Sequence, residues 1–430
     1  MSGFARRVIL SMIILNMMIV SFAIALKATF ENYKVFSIMP TTEKHIRQLY
    51  QMNKFYDGFT FWNTPTLKNR TIKIVVAPHR LPQFNEIMAK IGISYQINIE
   101  NVQAFMDQTM PANRSTFFDF NNYHTLDKIY ENIDDLAKQY PDNVQIVIGG
   151  ETYEGRQIKG VKVSFAVNNP GVFIEGGIHA KEWISSATVM YILHQILTNK
   201  DTDVRAMAES HDWYIFPVFN PDGYVYTHTT DRMWRKSRKP YNLFCIGVDL
   251  NRNWNYRWNT RINTTPCSNG YAGRAPFSEI ETRSMAKYIK TISDKFYAYI
   301  AFHSHAQLLL FPYGHTRDHL DNYDELHAIG LKTIAALKKR YGTEYRTGNI
   351  AETIYTVIGS SVDYIKATYG KQITYTYELG DRDRYGCLLP PDQIIPTGEE
   401  VVDSLVVMFK EAKARGHPKK KKLCHINNIN

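Results

Sequence analysis

Apolar and polar positions follow two regimes along this chain. Between residues 33 and 99 the runs are short. YKVFSI, FTFWN, TIKIVVAP and ISYQINI have the β-branched and aromatic content of strands, while EKHIRQLYQM and LPQFNEIMAKIG repeat at helical spacing. This predicts a small α+β unit, and no His, Cys, Asp or Glu cluster of catalytic spacing falls within it. From Asp107 to Phe120 the periodicity breaks. That stretch is polar, contains Pro111 and Asn113, and reads as a linker in which Arg114 offers a bond to a trypsin-like protease.

Beyond the linker the elements lengthen. HTLDKIYENIDDLAKQY predicts an amphipathic helix with Thr125 as its cap, and NVQIVIGGETYEGRQIKGVKVSF a strand pair turning near Gly155. The strand GVFIEG, the helix WISSATVMYILHQILT and the strands WYIFPVFN, FYAYIAF and ITYTYEL follow. Continuous apolar strands separated by helices predict an α/β fold, a mixed, largely parallel twisted sheet covered by helices on both faces.

In such sheets ligands bind beyond the carboxyl ends of the strands, and several polar residues stand there. His179 and Glu182 follow GVFIEGG, Asn220 and Asp222 follow WYIFPVF, His303 follows FYAYIAF, and Glu378 follows ITYTY. Each alone reads as a strand-end group facing water; four strands ending alike point to a site. His179, Glu182 and His303 form a His₂Glu set, which leaves a fourth tetrahedral position open, as catalytic zinc requires. Asp249 is the candidate acceptor that orients a ligand imidazole, and Glu378 is the remaining acid for a general base.

Composition narrows the setting. At 430 residues the chain exceeds one ordinary core, and 44% apolar with 21% charged residues marks it as globular. The formal charge of +10 owes part of its excess to Lys419–Lys422, so a local basic tail able to touch an anionic surface is expected in place of a nucleic-acid face. Arg6 and Arg7 ahead of the apolar run Val8 to Phe22, with Ala23-Ile24-Ala25 behind it, predict a signal peptide and secretion; an uncleaved anchor is the alternative. Asn69, Asn113 and Asn263 open glycosylation sequons. Cys245 and Cys267 flank a turn-rich stretch and are the expected bridge, which leaves Cys387 and Cys424 with no partner but each other.

The stretches GIHAKEWIS, RMWRKSR, GVDLNRNW, FHSHAQLLLFPYG and YTYELGDRDRYGCLLP occur in the order and spacing of the pancreatic-type zinc carboxypeptidases, and residues 120 to 412 resemble that family. The preceding segment resembles the family's inhibitory prodomain. The resemblance implies a signal peptide over 1–25, a prodomain with linker over 26–114, a catalytic domain over 115–416 and a basic tail over 417–430, in a monomeric zymogen of digestive type that acts on peptide C-termini. It assigns one zinc ion to His179, Glu182 and His303, the general base to Glu378, the oxyanion to Arg235, and the substrate carboxylate to Asn251, Arg252 and Tyr355. A guanidinium suits both tasks, since its planar fork matches a carboxylate. The bridge Cys245–Cys267 also matches a family position.

Where B-type members carry a pocket aspartate this chain has Val362, and Ile350, Leu310, Gly314 and Thr376 align with other uncharged pocket positions, so the resemblance implies an A-type preference for apolar or aromatic C-terminal residues. Lys181, His305 and Cys387 depart from the family's usual arginine, tyrosine and aromatic, and are expected to line the cleft away from the metal. Arg232 and Arg238 are expected to be solvated. A non-catalytic peptide-binding protein on the same scaffold is the competing reading, weakened because every expected ligand and the base are present.

Overall fold

The computed structural model describes residues 27–419 apart from 56–57, 63–64, 66–67, 110–116, 259–264 and 383. The expected signal peptide, the bond after Arg114, the sequons at Asn113 and Asn263, Lys420–Lys422 and Cys424 lie outside the described residues. Twelve strands among the described residues make two sheets.

The smaller sheet is antiparallel, of order β2-β3-β1-β4, from β1 (Lys34–Ile38), β2 (Phe59–Phe61), β3 (Ile72–Val76) and β4 (Tyr95–Ile99). Helices Glu43–Phe55 and Leu81–Ile91 supply Leu49, Met52, Phe84 and Met88 to a core completed by Phe36, Ile38, Ile72, Ile74 and Val76. Phe84 is fully buried, 4.3 Å from the Phe36 ring centroid.

The larger sheet has the order β11-β10-β12-β9-β7-β8-β6-β5. Its strands are β5 (Val144–Glu151), β6 (Gln157–Val163), β7 (Gly171–Glu175), β8 (Asp212–Phe216), β9 (Phe296–Ser304), β10 (Leu308–Phe311), β11 (Arg346–Asn349) and β12 (Ile373–Leu379). Pairings β12–β9, β9–β7, β7–β8 and β10–β11 are parallel; the other three are antiparallel. Strands β7 and β8 are buried at every position, as a sheet covered on both faces demands. One face packs on helices Leu126–Gln139, Trp183–Thr198 and Ile394–Ala414, the other on Ile280–Ile292 and Ser361–Tyr369. Thr125 caps its helix by accepting from the Lys128 N–H. WYIFPVFN stops short of expectation: pairing ends at Phe216, ahead of Pro217, which has no N–H to offer a ladder.

The two units meet through an apolar seam of Val35, Val75, Ile99, Val102 and Met106 against Leu388, flanked by Phe105 stacked on Tyr385 at 5.6 Å. Cys245 and Cys267 are bridged as expected, and Cys387 is a buried free thiol. No helix among the described residues is long and apolar enough to cross a membrane.

Candidate metal centre and substrate cleft

Strand ends bring the chemistry together. His303 near the end of β9 is the register partner of Glu378 on β12, and β7 runs beside β9, so the turn after β7 delivers His179 and Glu182 to the same place. That turn depends on Gly177, whose φ is +66° and whose missing Cβ would stand 2.6 Å from Ser186 Oγ. It closes with the Glu182 N–H donating to His179 O, after which helix Trp183–Thr198 begins.

His179 Nδ1, Glu182 and His303 Nδ1 converge in a buried cluster: Nδ1 of His179 is 2.9 Å from Glu182 Oε1 and 3.0 Å from His303 Nδ1, which lies 3.2 Å from Glu182 Oε2. Tetrahedral zinc at about 2.0–2.1 Å from each donor spaces its ligands by roughly 3.3 Å, so this set fits the ion. The far nitrogen of His179 lies 3.1 Å from Asp249 Oδ1, an acceptor that fixes the proton on Nε2 and turns the Nδ1 lone pair to the cluster. Asp249 is held in turn by Arg235, whose Nε and Nη2 donate to Oδ2 at 3.0 and 2.9 Å. Burial works against ionisation of Asp249, but Arg235, Arg252 and His179 outweigh it and hold the carboxyl well below the usual range. Burial likewise opposes the Arg235 charge, and Asp249 and Glu182 reverse that effect, so the guanidinium stays charged. Burial pushes Glu378 up to about 7.

A cleft of about 360 Å³ opens over this cluster. Among its walls are Arg235, Asn251, Arg252, Tyr355 and Glu378, the pocket residues Leu310, Ile350, Val362 and Thr376, and Lys181, His305 and Cys387. Arg252 Nη2 lies 3.4 Å from the Tyr355 hydroxyl, and the Asn251 amide 3.3 Å from His303 Nε2, oriented by the Ser361 N–H on its Oδ1 at 2.9 Å. Val362 and Ile350 are buried within an apolar cluster. Asp363 turns away from the cleft to accept the N–H groups of Gly314 and His315, and Gly314 packs behind the pocket against Val357 and Ile350.

Four sequence expectations need correction. Arg232 is buried, lies 3.6 Å from the Trp183 ring centroid, and donates to Lys181 O at 2.8 Å and Cys387 O at 3.2 Å, which ties two cleft loops together. Arg238 is mostly covered too, 3.5 Å from the Tyr226 ring centroid and 4.6 Å from that of Trp234. Aromatic faces replace water around both cations. Asn220 and Asp222, grouped with the strand-end candidates, are structural: Asn220 caps helix Pro221–Thr229 through the Gly223 N–H, and Asp222 accepts from Thr152, the Glu154 N–H and Arg156. Sequence reasoning also missed that the small unit reaches the cleft, where Trp62, Asn69, Arg70, Thr71 and Lys73 join the lining. The aromatic Trp62 closing the strand FTFWN was the signal available.

A buried His₂Glu cluster at the carboxyl ends of a mixed sheet, open on one side to a cleft with paired guanidinium groups, defines a mononuclear metallohydrolase. The zinc carboxypeptidase family model matches residues 129–404, and that of the carboxypeptidase activation peptide matches residues 36–109. The chain is 45% identical over 397 residues to zinc carboxypeptidase A 1 of Anopheles gambiae, covering 91% of this chain and 92% of that one. It is 52% identical over 298 residues to a zinc carboxypeptidase of Simulium vittatum, covering 69% and 98%. The carboxypeptidase A structure from Helicoverpa armigera superposes with a TM-score of 0.81 at 28% identity, covering 90% and 99%. The chain belongs to the zinc carboxypeptidases: it is a metallopeptidase made as a zymogen with an activation peptide, and it takes one zinc ion in its catalytic domain.

Proposed function

We propose that the mature protein is an A-type exopeptidase that removes single apolar or aromatic residues from peptide C-termini, with zinc held by His179, Glu182 and His303. The observation that carries this reading is an uncharged pocket, floored by Val362, in the same cleft as the His₂Glu cluster and the Arg252–Tyr355 pair. Arg252, Asn251 and Tyr355 hold the terminal carboxylate, which confines cleavage to the last bond. The terminal side chain enters between Leu310, Ile350, Val362 and Thr376, where a lysine or arginine would be desolvated without a partner. Glu378 takes a proton from the attacking water and returns it to the leaving amine. Arg235, charged and anchored by Asp249, faces the oxygen on which negative charge develops. Bound zinc supplies Lewis-acid polarisation and a water of lowered pKa.

The uncut chain is the inactive form, and a trypsin-like cut after Arg114 releases the enzyme. The Arg6-Arg7 and apolar N-terminal stretch supports export, and with it an extracellular setting in which the Cys245–Cys267 bridge persists. The test is hydrolysis of N-blocked dipeptides with C-terminal Phe, Leu, Lys or Arg, before and after trypsin, with and without a chelator. Activity on Phe and Leu that appears after trypsin and disappears with chelator is expected; faster release of Lys or Arg overturns the A-type reading.

A further inference from the structure

One buried carboxyl close to the site belongs to neither the metal cluster nor the cleft lining. Glu175 ends β7, four residues before His179, and is fully buried. Its Oε1 accepts two hydroxyls, that of Tyr299 at 2.6 Å and that of Ser361 at 3.0 Å. Its Oε2 is buried with no partner among the described residues. Tyr299 stands on β9, four residues before His303. One carboxyl oxygen thus joins the two strands that deliver the histidine ligands to the start of helix Ser361–Tyr369. Burying a carboxyl costs stability that an apolar side chain of similar size would not. Its use lies in what it holds.

It holds the turn at residues 359–362. Gly359, at φ +65°, packs so closely on the Arg252 backbone that a Cβ would stand 2.3 Å from Arg252 O. Ser360 caps the helix by accepting the Asp363 N–H at 3.4 Å. Ser361 is the first helical residue, so its own N–H has no partner within the helix; it donates to Asn251 Oδ1 at 2.9 Å. That bond leaves the Asn251 amide nitrogen on the side of His303 and the cleft. Val362, next in the chain, floors the pocket. We infer that Glu175 is a positioning residue for substrate recognition. Through the Ser361 hydroxyl it fixes the helix start from which one N–H aims Asn251 at the terminal carboxylate and the next side chain closes the pocket. The inference rests on the clamp and pocket roles proposed above. Groups of this kind must stay within about 0.5 Å of their productive places. Without an acceptor at the end of β7 the Ser361 hydroxyl turns to nearby backbone instead, and the N–H and Val362 shift together.

Trypsin-activated protein and an N-blocked dipeptide ending in Phe supply the test. Ser361→Ala removes the hydroxyl and keeps the N–H. Its KM should rise by about 5- to 10-fold with kcat within about twofold, since one hydrogen bond is lost and clamp and pocket grip ground and transition state alike. The Ki of free L-phenylalanine, which carries the same carboxylate and ring, should rise by the same factor, with zinc still at one per chain. Glu175→Gln offers an oxygen to both hydroxyls and should keep KM within about twofold of the natural enzyme. Glu175→Ala should raise KM as Ser361→Ala does, and the double variant should be no worse than Glu175→Ala alone, because both cut one link. Ser361→Ala and Glu175→Gln decide the matter even where Glu175→Ala does not fold. A Ser361→Ala enzyme that unfolds at lower urea with KM and Ki unmoved has lost a merely structural bond, and the inference fails. It fails equally if Glu175→Gln raises KM as Ser361→Ala does, or if the effects of the double variant multiply. The reading beneath it fails differently. A natural enzyme without the clamp cleaves the C-terminal amide of the dipeptide as fast as the free acid, and one without the apolar pocket releases Lys faster than Phe.

Discussion

The two sheets of this molecule bury different things. Around the four-stranded sheet the buried side chains are almost all apolar, with Lys73 and Thr109 the exceptions among the described residues. Around the eight-stranded sheet Glu175, His179, Glu182, Asp249, Glu279, Glu281 and Asp363 are all buried carboxylates or imidazoles. Burying an ionisable group is costly unless it is paired, so a domain that does it repeatedly is spending stability on arrangement. The small unit needs only shape to set Trp62 and its neighbours along the cleft. The large one must hold charges at fixed distances.

The sharpest break of this contrast is Glu378→Gln. The amide keeps the shape and the neighbours but cannot take a proton, so activity should fall by about 10⁴-fold, the upper end for a lost general base, because in the proposed mechanism the same group serves both attack and departure. Zinc content should stay at one per chain by metal analysis. Wild-type turnover with full metal would reassign the base.

Phe84→Ala breaks the other side. Removing a fully buried ring costs about 3–5 kcal/mol in a core, which is enough to unfold a small unit. The uncut chain should then hydrolyse blocked dipeptides without trypsin, while the activated enzyme keeps its natural kcat and KM. A variant that stays silent until cut would show that the linker, and not the folded unit, enforces inhibition. Smaller in effect, Val362→Asp should raise kcat/KM on C-terminal Lys and lower it on Phe, each by about 10- to 100-fold. The gain is limited because Ile350 and Leu310 remain apolar around the new carboxylate. An unchanged ratio would remove Val362 from the pocket.

Much of this was legible in the sequence wherever one physical rule dominated. GVFIEG and ITYTYEL are buried on both faces, so the apolar run of the first and the β-branched and aromatic content of the second identified them, and their ends located His179, Glu182 and Glu378. Thr125 was legible because capping is local. What escaped depends on contacts far apart in sequence. RTGN forms β11 through its parallel partner LLLF, and of its four residues only Thr347 favours a strand. Arg232 looks like any surface cation until Trp183 and Cys387 fold around it. Trp62 reads as the end of a strand, and its contact with Gly386 spans both units.

Glu281 offers the smallest and most local test of the idea that the large domain spends stability on buried charge. It sits in the first turn of helix Ile280–Ile292, where Oε1 accepts the Tyr153 N–H at 3.0 Å and Oε2 is buried with no partner among the described residues. Burial pushes its pKa up to about 7, with Glu279 and Asp222 adding to the rise against the Tyr153 hydrogen bond. The folded chain therefore binds this proton more tightly than the unfolded chain, whose value is near 4.3. Below about pH 4 both states are protonated and the group is neutral to stability. As pH rises toward 7 the unfolded state releases the proton first, stability falls, and above about 7 the loss is constant. Glu281→Gln accepts the same N–H, carries no charge at any pH, and should remove that loss. Urea unfolding of the activated enzyme should give the variant an advantage that grows by about 1–3 kcal/mol between pH 5 and 8. Every other titrating group contributes equally to both proteins, so the difference isolates this carboxyl. An offset that does not change with pH would mean that Glu281 is ionised throughout, its charge already balanced within the fold.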